Sequence, residues 1–306
     1  KKLLGATFIA FILNATWLVW LVRTDNLQVW HIMVYAVLAG TIVSFNHPAR
    51  NTLLPNLVPK EKLLNAITLD SAAVAGVRFI VAPISGILIA RVGVDWVLGL
   101  RGLGCVVALF WLWQLTAPAT PVKARNESMW KNLKEGFRYT YESKPIFQLT
   151  LLSVVPLLLV QPYLAMLPIF TKDILKSGPE ILGYLNGASG AGSLASLFFL
   201  AALGDYKQKG KLFFVSFGAG GIALTALAFP WISASSYWVP VSIFLVGILG
   251  FGSSVFTALR AALLQGNVPD SVRGRVLSLR EIVIGFQPMG NLMGGDIADI
   301  WTTSLA

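Results

Sequence analysis

The chain has 306 residues, of which 56% are hydrophobic and only 12% are charged, and its formal net charge is +10. Soluble domains carry roughly 25% charged residues, and their surfaces need that charge for solubility, so the composition excludes an ordinary soluble domain and indicates a protein with several membrane spans. The positive charge does not indicate a nucleic-acid partner, because the basic residues stand between apolar runs and form no tract with interleaved aromatic residues.

Nine apolar runs are long enough to cross a membrane as helices, since each crossing needs about 20 mostly apolar residues. The predicted spans are 3–22, 29–47, 63–90, 96–116, 146–170, 181–203, 212–230, 237–259 and 276–299. The sequence therefore predicts an all-α membrane protein. The chain starts with Lys1 rather than Met and stops soon after an apolar run, and we expect both ends to be cut.

Lys and Arg are distributed unevenly between the two sides of these spans. Of the 24, 18 fall on one side and two fall inside spans, while four fall on the other side, namely Arg23, Arg91, Lys172 and Lys176. Short cytoplasmic loops carry an excess of Lys and Arg. We therefore expect the N-terminus and the central loop, 117–145, to be cytoplasmic.

The central loop contains a basic amphipathic pattern. Trp130, Leu133, Phe137 and Tyr141 recur on one helical face, with Lys and Arg between them. Such a helix is typical of a segment that lies flat on the cytoplasmic leaflet. A helix of the kind that calmodulin binds is the alternative interpretation.

One ten-residue stretch is written twice. RNTLLPNLVP at 50–59 recurs as RAALLQGNVP at 260–269, an offset of 210 residues, and each copy stands between two apolar runs. A match in the same hydropathy context indicates a duplicated half. Weak symmetry between two halves of a hydrophobic chain is typical of secondary transporters.

Nothing in the sequence indicates an enzyme. It contains no nucleophile elbow, no phosphate-binding glycine loop and no zinc-protease motif. Cys105 is the only cysteine, and His31 and His47 are the only histidines, which argues against a disulfide and against a Cys- or His-based metal centre. We expect no cofactor and no metal.

Four segments carry a resemblance to a known family. They are FNHPARNTLLPNLVPKEKLLNA (45–66), RFIVAPISG (78–86), MWKNLKEGFRYTYESKP (129–145) and VPDSVRGRVLSL (268–279). With these segments the chain resembles the major facilitator superfamily, and more narrowly its bacterial exporter branch of enterobactin-exporter-like and macrolide-efflux-like proteins.

The resemblance implies a helical bundle of two pseudo-symmetric halves with twelve spans, of which this chain holds about nine, spans three to eleven. On that plan 1–116 is part of the N-terminal half (spans 3–6) and 117–145 is the cytoplasmic linker with its amphipathic helix. The remaining stretch, 146–306, is part of the C-terminal half (spans 7–11).

The resemblance also implies a function. It predicts a monomeric secondary transporter of the bacterial inner membrane that exports small amphiphilic molecules, drug-like or siderophore-like, by proton-coupled alternating access. The low content of charge inside the spans suits a cavity that accepts amphiphiles. A non-transporting membrane sensor or assembly partner on the same scaffold is the alternative.

Three charged residues inside or near spans are candidates for the substrate or proton pathway. Charges within a bilayer tend to face a cavity, a partner or a proton path. Asp70 and Arg78 stand eight residues apart, about 80° around a helix. Arg78 either lines the cavity and attracts an anionic group or pairs within the helix packing, and Asp70 either shares that pathway or is an interfacial charge. Arg101 either snorkels toward the interface or lines the cavity.

RFIVAPISG resembles the superfamily's antiporter signature, in which Gly-Pro is followed by two variable residues and Gly-Gly. Pro83 and Gly86 match that signature, and its other two glycines are absent here. Gly76, Pro83 and Gly86 suit a helix that bends or slides during gating, although close packing explains them as well. Pro288 is expected to kink the last span.

Four residues are candidates for cytoplasmic gating loops. The segment GDYKQKGK after residue 203 keeps only Asp205 and trailing basic residues of the superfamily's loop signature. The resemblance implies that Asp205 meets Arg260 or Arg273 and latches the outward-facing state, and Arg50 is the counterpart of Arg260 in the first half. The alternative is ordinary positive-inside charge with one neutralising Asp.

Overall fold

The structure, a computed structural model, describes residues 1–59, 62–115, 137–138, 140–144, 147–148, 151, 160, 162–203, 209–228, 238–267 and 291. These residues are helical apart from short turns, and none of them lies in a strand. This agrees with the all-α prediction. Helices are the natural outcome for an apolar chain in lipid, because a helix satisfies its backbone hydrogen bonds within the segment itself.

The helices, in chain order, are α1 Lys2–Arg23, α2 Val29–Leu57, α3 Leu63–Val92, α4 Val94–Gln114, α5 Tyr163–Ile169, α6 Pro179–Leu203, α7 Lys209–Ala228 and α8 Trp238–Asn267. A π-helical turn, Phe170–Ile174, continues α5. Seven of the described helices, all except α5, are long and apolar enough to cross a membrane.

These seven helices correspond to seven of the nine predicted spans. The predicted span 146–170 is described only in part, and its helix runs on through the π-helical turn to Ile174. The predicted span 276–299 lies outside the described residues except for residue 291. The predicted cytoplasmic linker, 117–145, is described only from residue 137 onward and with gaps.

The placement of Arg50 and Arg260 in loops is wrong. Both arginines lie within helices, because α2 continues to Leu57 and α8 continues to Asn267. The apolar parts of these helices end at Arg50 and Arg260, and hydropathy reports that boundary rather than the end of the helix. At 29 residues, α2 is about 44 Å long, well beyond the hydrocarbon thickness of about 30 Å.

The duplicated stretch occupies equivalent places in the two copies. Shifted by the 210-residue offset, α2 would run over 239–267, and α8 runs over Trp238–Asn267. The first eight residues of each copy therefore form the last part of a long helix. The structure thus agrees with a duplicated half.

The chain divides into two compact units. Unit 1 comprises Lys1–Ala73 and Ile87–Lys123, and unit 2 comprises Val74–Gly86 and Ala124–Ala306. The middle of α3 therefore belongs to unit 2 and its two ends to unit 1. The division into 1–116, 117–145 and 146–306 remains a prediction.

In unit 1, α1 packs against both α2 and α4. The N–H of Gln28 donates to Nδ1 of His31 over 3.0 Å and fixes the start of α2. Gly93 joins α3 to α4 as a single residue with a φ of +98°, a conformation that glycine adopts without the steric cost that other residues incur.

In unit 2, α8 packs against α6 and α7, and α5 packs against α6. The core of this unit is apolar, with Leu185, Val246 and Leu249 at most 1% exposed. Large side chains such as Phe198 and Phe244 are exposed instead, as suits helices whose outer faces contact lipid.

Candidate functional site

Unit 2 contains a glycine-lined crossing of α3 and α6. A Cβ added to Gly86 would lie 2.5 Å from the carbonyl oxygen of Pro179 and 2.9 Å from the Cα of Gly183. A Cβ added to Gly183 would lie 2.7 Å from the carbonyl oxygen of Ala82. These neighbours are backbone atoms that cannot swing away, so the two helices approach this closely only with glycine at both positions.

Pro83 lies at the same crossing. A Cβ on Gly187 would lie 2.5 Å from Cγ of Pro83, so the proline ring occupies the space that the glycine leaves open. Helix α3 runs through Pro83 without ending, although the proline supplies no backbone N–H. The proline and the glycines therefore meet within the close crossing of the two helices.

The three α3 residues predicted to let the helix bend differ in their packing. Pro83 and Gly86 lie in the crossing, whereas a Cβ on Gly76 would meet none of the described atoms within 4 Å. Gly76 is thus on α3 but outside the part of the crossing that the structure describes. Its predicted role in bending stays a prediction.

A buried polar pair lies beside Arg78. The hydroxyl of Tyr163 on α5 and Oγ of Ser189 on α6 are 3.2 Å apart, and these residues are only 9% and 1% exposed. A Cβ on Gly190, the residue after Ser189, would lie 2.9 Å from the main-chain carbon of Arg78, so the backbone of Arg78 packs against α6 next to this pair. Unit 2 therefore places one cation and two hydroxyl groups together among apolar helices.

The other side of α6 holds Ser189 in place. Gly250 on α8 packs directly against the main chain of Ser189, and Gly192 packs against Gly247. Oγ of Ser193 donates to the Ser189 carbonyl over 2.9 Å and to the Gly250 carbonyl over 3.3 Å. The main chain of α6 around Ser189 is thus in close contact with both α3 and α8.

In unit 1, two ion pairs connect helices near their ends. Arg50 on α2 pairs with Asp70 on α3, and both side chains are partly exposed. Arg23 at the end of α1 pairs with Asp95 on α4 over 3.1 Å. The predicted pathway residue Asp70 therefore has the predicted gating residue Arg50 as its partner.

Arg101 forms a separate polar contact in unit 1. Its Nη1 donates to the hydroxyl of Tyr35 over 2.7 Å, and its guanidinium lies 5.3 Å from the centre of the Phe11 ring. Asn14 donates from Nδ2 to the Tyr35 carbonyl over 3.4 Å. Arg101 on α4 thus bridges to α2, and Asn14 on α1 contacts the same tyrosine.

Three predicted residues, Asp205, Arg273 and Pro288, lie outside the described residues. The predicted contact of Asp205 with Arg260 or Arg273 therefore stays a prediction. Among the residues that the structure describes, no three His, Cys, Asp or Glu side chains come together as metal ligands would.

The sequence interpretation missed Tyr163, Ser189 and Tyr35. Their hydrogen bonds join different helices, and no sequence spacing reports such a pairing. One signal was available for Ser189, because it lies in NGASGAGS at 186–193, where small residues recur at the spacing typical of close helix packing.

Comparison with known proteins gives a match over the whole chain. The family model described as a transmembrane secretion effector matches residues 1–306. Seven apolar helices accompany that match.

Several curated proteins are similar over most of the chain. The staphyloferrin A transporter of Staphylococcus aureus is 23% identical over 88% of this chain and 66% of its own length. The multidrug efflux pump Tap of Mycolicibacterium fortuitum is 26% identical over the same two shares. The enterobactin exporter EntS of Shigella boydii is 26% identical over 78% of this chain and 56% of its own length. The chain therefore spans less than two thirds of each of these relatives.

Two solved structures share the fold. A bacterial homologue of the iron transporter ferroportin, in an inward-facing state, superposes with a TM-score of 0.64 at 20% identity, over 95% of this chain and 73% of that one. A bacterial metal transporter gives a TM-score of 0.59 at 17% identity, over 96% and 74%. These likenesses concern the fold alone.

Proposed function

The chain belongs to the transmembrane secretion effector family of the major facilitator superfamily, and from that premise we propose that it exports small amphiphilic molecules across the bacterial inner membrane in exchange for protons. The proposed substrates are drug-like or siderophore-like, as the printed names of its relatives suggest. The proposed mechanism is alternating access by a monomer. The excess of Lys and Arg supports a cytoplasmic N-terminus and central loop.

The observation that carries the proposal is the cluster of Arg78, Tyr163 and Ser189. A cation within an apolar helix is costly unless it faces a partner, a cavity or a ligand. The hydroxyls of Tyr163 and Ser189 bond to each other, and the five N–H donors of a guanidinium are more than this pair could accept, so we propose that Arg78 has donors for another group. We assign to Arg78 the role of holding an anionic or strongly polar group of the substrate.

The crossing of α3 and α6 supports the proposed motion. Gly86 and Gly183 bring the two backbones into contact, as small residues do between membrane helices, and we propose that α3 slides on α6 along this contact. Pro83 weakens the local hydrogen bonding of α3. The site and the sliding interface thus share one segment of α3.

Asp70 is the proposed proton carrier. It forms an ion pair with Arg50, and protonation of the carboxylate would remove the charge that holds Arg50. Proton binding would then release α2 from α3 at this end of unit 1. Such a link between protonation and helix contact is what proton-coupled transport requires.

Accumulation of a fluorescent amphiphile in everted vesicles that contain the complete protein tests this function. We expect accumulation that follows an imposed pH gradient and stops when a protonophore is added. Asp70→Asn should keep downhill flux but lose the response to the gradient. Asp25→Asn, in the exposed turn after α1, is the matched control and should keep the response.

Two outcomes would count against the proposal. Full gradient-driven accumulation by Asp70→Asn would remove Asp70 from the proton pathway. If the protein moved no amphiphile from a broad panel, under any gradient, the sensor or assembly-partner alternative would replace transport.

A further inference from the structure

We propose that Arg101 and Tyr35 form a second polar subsite, in unit 1, that binds an oxyanion, either a carboxylate on a small amphiphile or the phosphate of a lipid headgroup. The inference starts from the depth of Arg101. It stands seven residues after the start of α4, inside the apolar stretch Val94–Gln114, which places its Cα about 10 Å along the helix axis.

The guanidinium of Arg101 is turned toward its neighbours on α1 and α2. It contacts the Tyr35 hydroxyl over 2.7 Å and stands 5.3 Å from the centre of the Phe11 ring. Both neighbours are half-buried. The charge is therefore held against the helices of unit 1 by an aromatic ring and a phenol.

Among the described residues of unit 1, no carboxylate pairs with Arg101. Among the described residues of this unit the acidic side chains are Asp25, Asp70 and Asp95. Asp70 pairs with Arg50, and Asp95 pairs with Arg23, while Asp25 lies in the exposed turn beyond α1. A cation at membrane depth without a counter-charge is expensive, and a bound anion would supply that charge.

The hydrogen-bond donors that remain fit an oxyanion. A guanidinium has five N–H donors in a planar fork, and one of those of Arg101 is used by Tyr35. Because the phenol oxygen of Tyr35 accepts that bond, its own O–H is left to donate to a ligand. One guanidinium N–H and one phenol O–H match the two oxygens of a carboxylate, and charge-assisted bonds of this kind are the strong ones.

The surroundings fit the rest of an amphiphile. The Phe11 ring beside the guanidinium offers an apolar surface for the body of the ligand. Asn14, only 6% exposed, donates to the Tyr35 carbonyl over 3.4 Å and holds α2 against α1 at this level. Asn14 is therefore a positioning residue, and Arg101 and Tyr35 are the proposed contacts.

The carboxylate alternative rests on the proposed export function, but its test needs no transport. The complete protein is placed in vesicles of phosphatidylcholine, and binding is followed by energy transfer from its tryptophans, of which the chain has ten. The probe is 1-pyrenebutyrate, and 1-pyrenebutanol is its uncharged counterpart. We expect the wild type to bind the carboxylate about tenfold more tightly than the alcohol, because a charge-assisted hydrogen bond contributes at least that factor.

The variants separate the site from general effects of charge. Arg101→Gln should reduce the tenfold preference to about one while leaving pyrenebutanol binding unchanged, which also shows that the protein is folded. Tyr35→Phe and Arg101→Lys should each lose part of the preference. Arg23→Gln is the matched control, since it removes the same charge from an arginine that has a carboxylate partner, and it should keep the preference.

Added phosphatidylglycerol distinguishes the two sources of the oxyanion. If this anionic lipid abolishes the preference in the wild type, the subsite holds a lipid headgroup, and if it leaves the preference intact, the subsite holds the carboxylate of a small molecule. A preference that survives in Arg101→Gln, or that Arg23→Gln removes equally, overturns the proposal. Failure of gradient-driven transport with an intact binding preference would count against the export function alone.

Discussion

Arg78 differs from Arg50 and Arg23 in its neighbours. Arg50 and Arg23 each have a carboxylate partner, whereas the main chain of Arg78 packs against Gly190, next to the buried hydroxyl pair of Tyr163 and Ser189. The hydrogen bond between the two hydroxyls fixes their positions, and we propose that the pair orients the site while Arg78 contacts the ligand. The guanidinium has five N–H donors in a planar fork, which suits contact with an anionic group.

The first prediction concerns the Tyr163 hydroxyl. Tyr163→Phe keeps the ring but leaves Ser189 without its partner on α5, and we expect a loss of stability of about 0.6 kcal/mol, the average for interhelical hydrogen bonds in membranes, and at most about 1.7 kcal/mol. Thermal unfolding of the purified protein in detergent measures the loss. Combining the change with Ser189→Ala should give a total smaller than the sum of the two single effects.

Tyr184→Phe on α6 is the control for this experiment. Tyr184 is 40% exposed, so removal of its hydroxyl should change the melting temperature little. If Tyr163→Phe and Tyr184→Phe changed the melting temperature equally, the hydrogen bond between Tyr163 and Ser189 would stabilise unit 2 no more than an exposed hydroxyl does.

At the scale of the helix, α3 combines two opposite demands. Its central part must approach α6 closely, which Gly86 and Pro83 permit, and it must remain helical through a proline that supplies no N–H. Tight contact with α6 restrains α3 at the point where its own hydrogen bonding is weakest. The same contact is the proposed sliding surface, so Gly86 and Pro83 would serve both the packing of α3 and its proposed movement.

The second prediction compares two glycines of that helix. Gly86→Ala places a methyl group 2.5 Å from the Pro179 carbonyl oxygen, which forces α3 and α6 apart, and we expect a loss of about 1 to 3 kcal/mol, as for other overpacked sites. Gly76→Ala meets open space among the described residues. It should gain up to about 1 kcal/mol, because alanine is the better helix former.

Thermal unfolding in detergent, with both variants measured side by side, decides the question. Equal losses in Gly86→Ala and Gly76→Ala would mean that glycine matters along α3 for a reason other than its contact with α6. A Gly86→Ala variant as stable as the wild type would contradict the close contact of α3 with α6 at this residue.

At the scale of the whole molecule, the sequence predicted the class, the family and most spans. Length and apolarity alone placed the seven apolar helices, and the family model confirms the resemblance drawn from segments such as 45–66 and 78–86. The 210-residue repeat predicted that α2 and α8 are equivalent, and their bounds agree. These features are local or periodic, so they can be detected from the sequence alone.

What the sequence did not predict depends on contacts between distant residues. The partner of Asp70 is Arg50, twenty residues away on another helix, and the partner of Tyr163 is Ser189. The predicted second span ends at residue 47, where the apolar run ends, whereas α2 continues to Leu57. Polar residues after an apolar run can remain helical, so hydropathy does not report the end of the helix. Partners and helix ends of this kind are fixed by packing rather than by local composition.

Gradient-driven accumulation of a fluorescent amphiphile in everted vesicles that contain the complete protein, with Arg78→Ala compared with Arg91→Ala, tests whether Arg78 holds the substrate. Arg91 lies in the last turn of the same helix and is exposed, so it matches the loss of charge without touching the cluster. We predict an initial rate about tenfold lower in Arg78→Ala, equivalent to about 1.4 kcal/mol of lost stabilisation, partial recovery in Arg78→Lys and a normal rate in Arg91→Ala. A normal rate in Arg78→Ala, at equal amounts of folded protein, would contradict the assignment of the site.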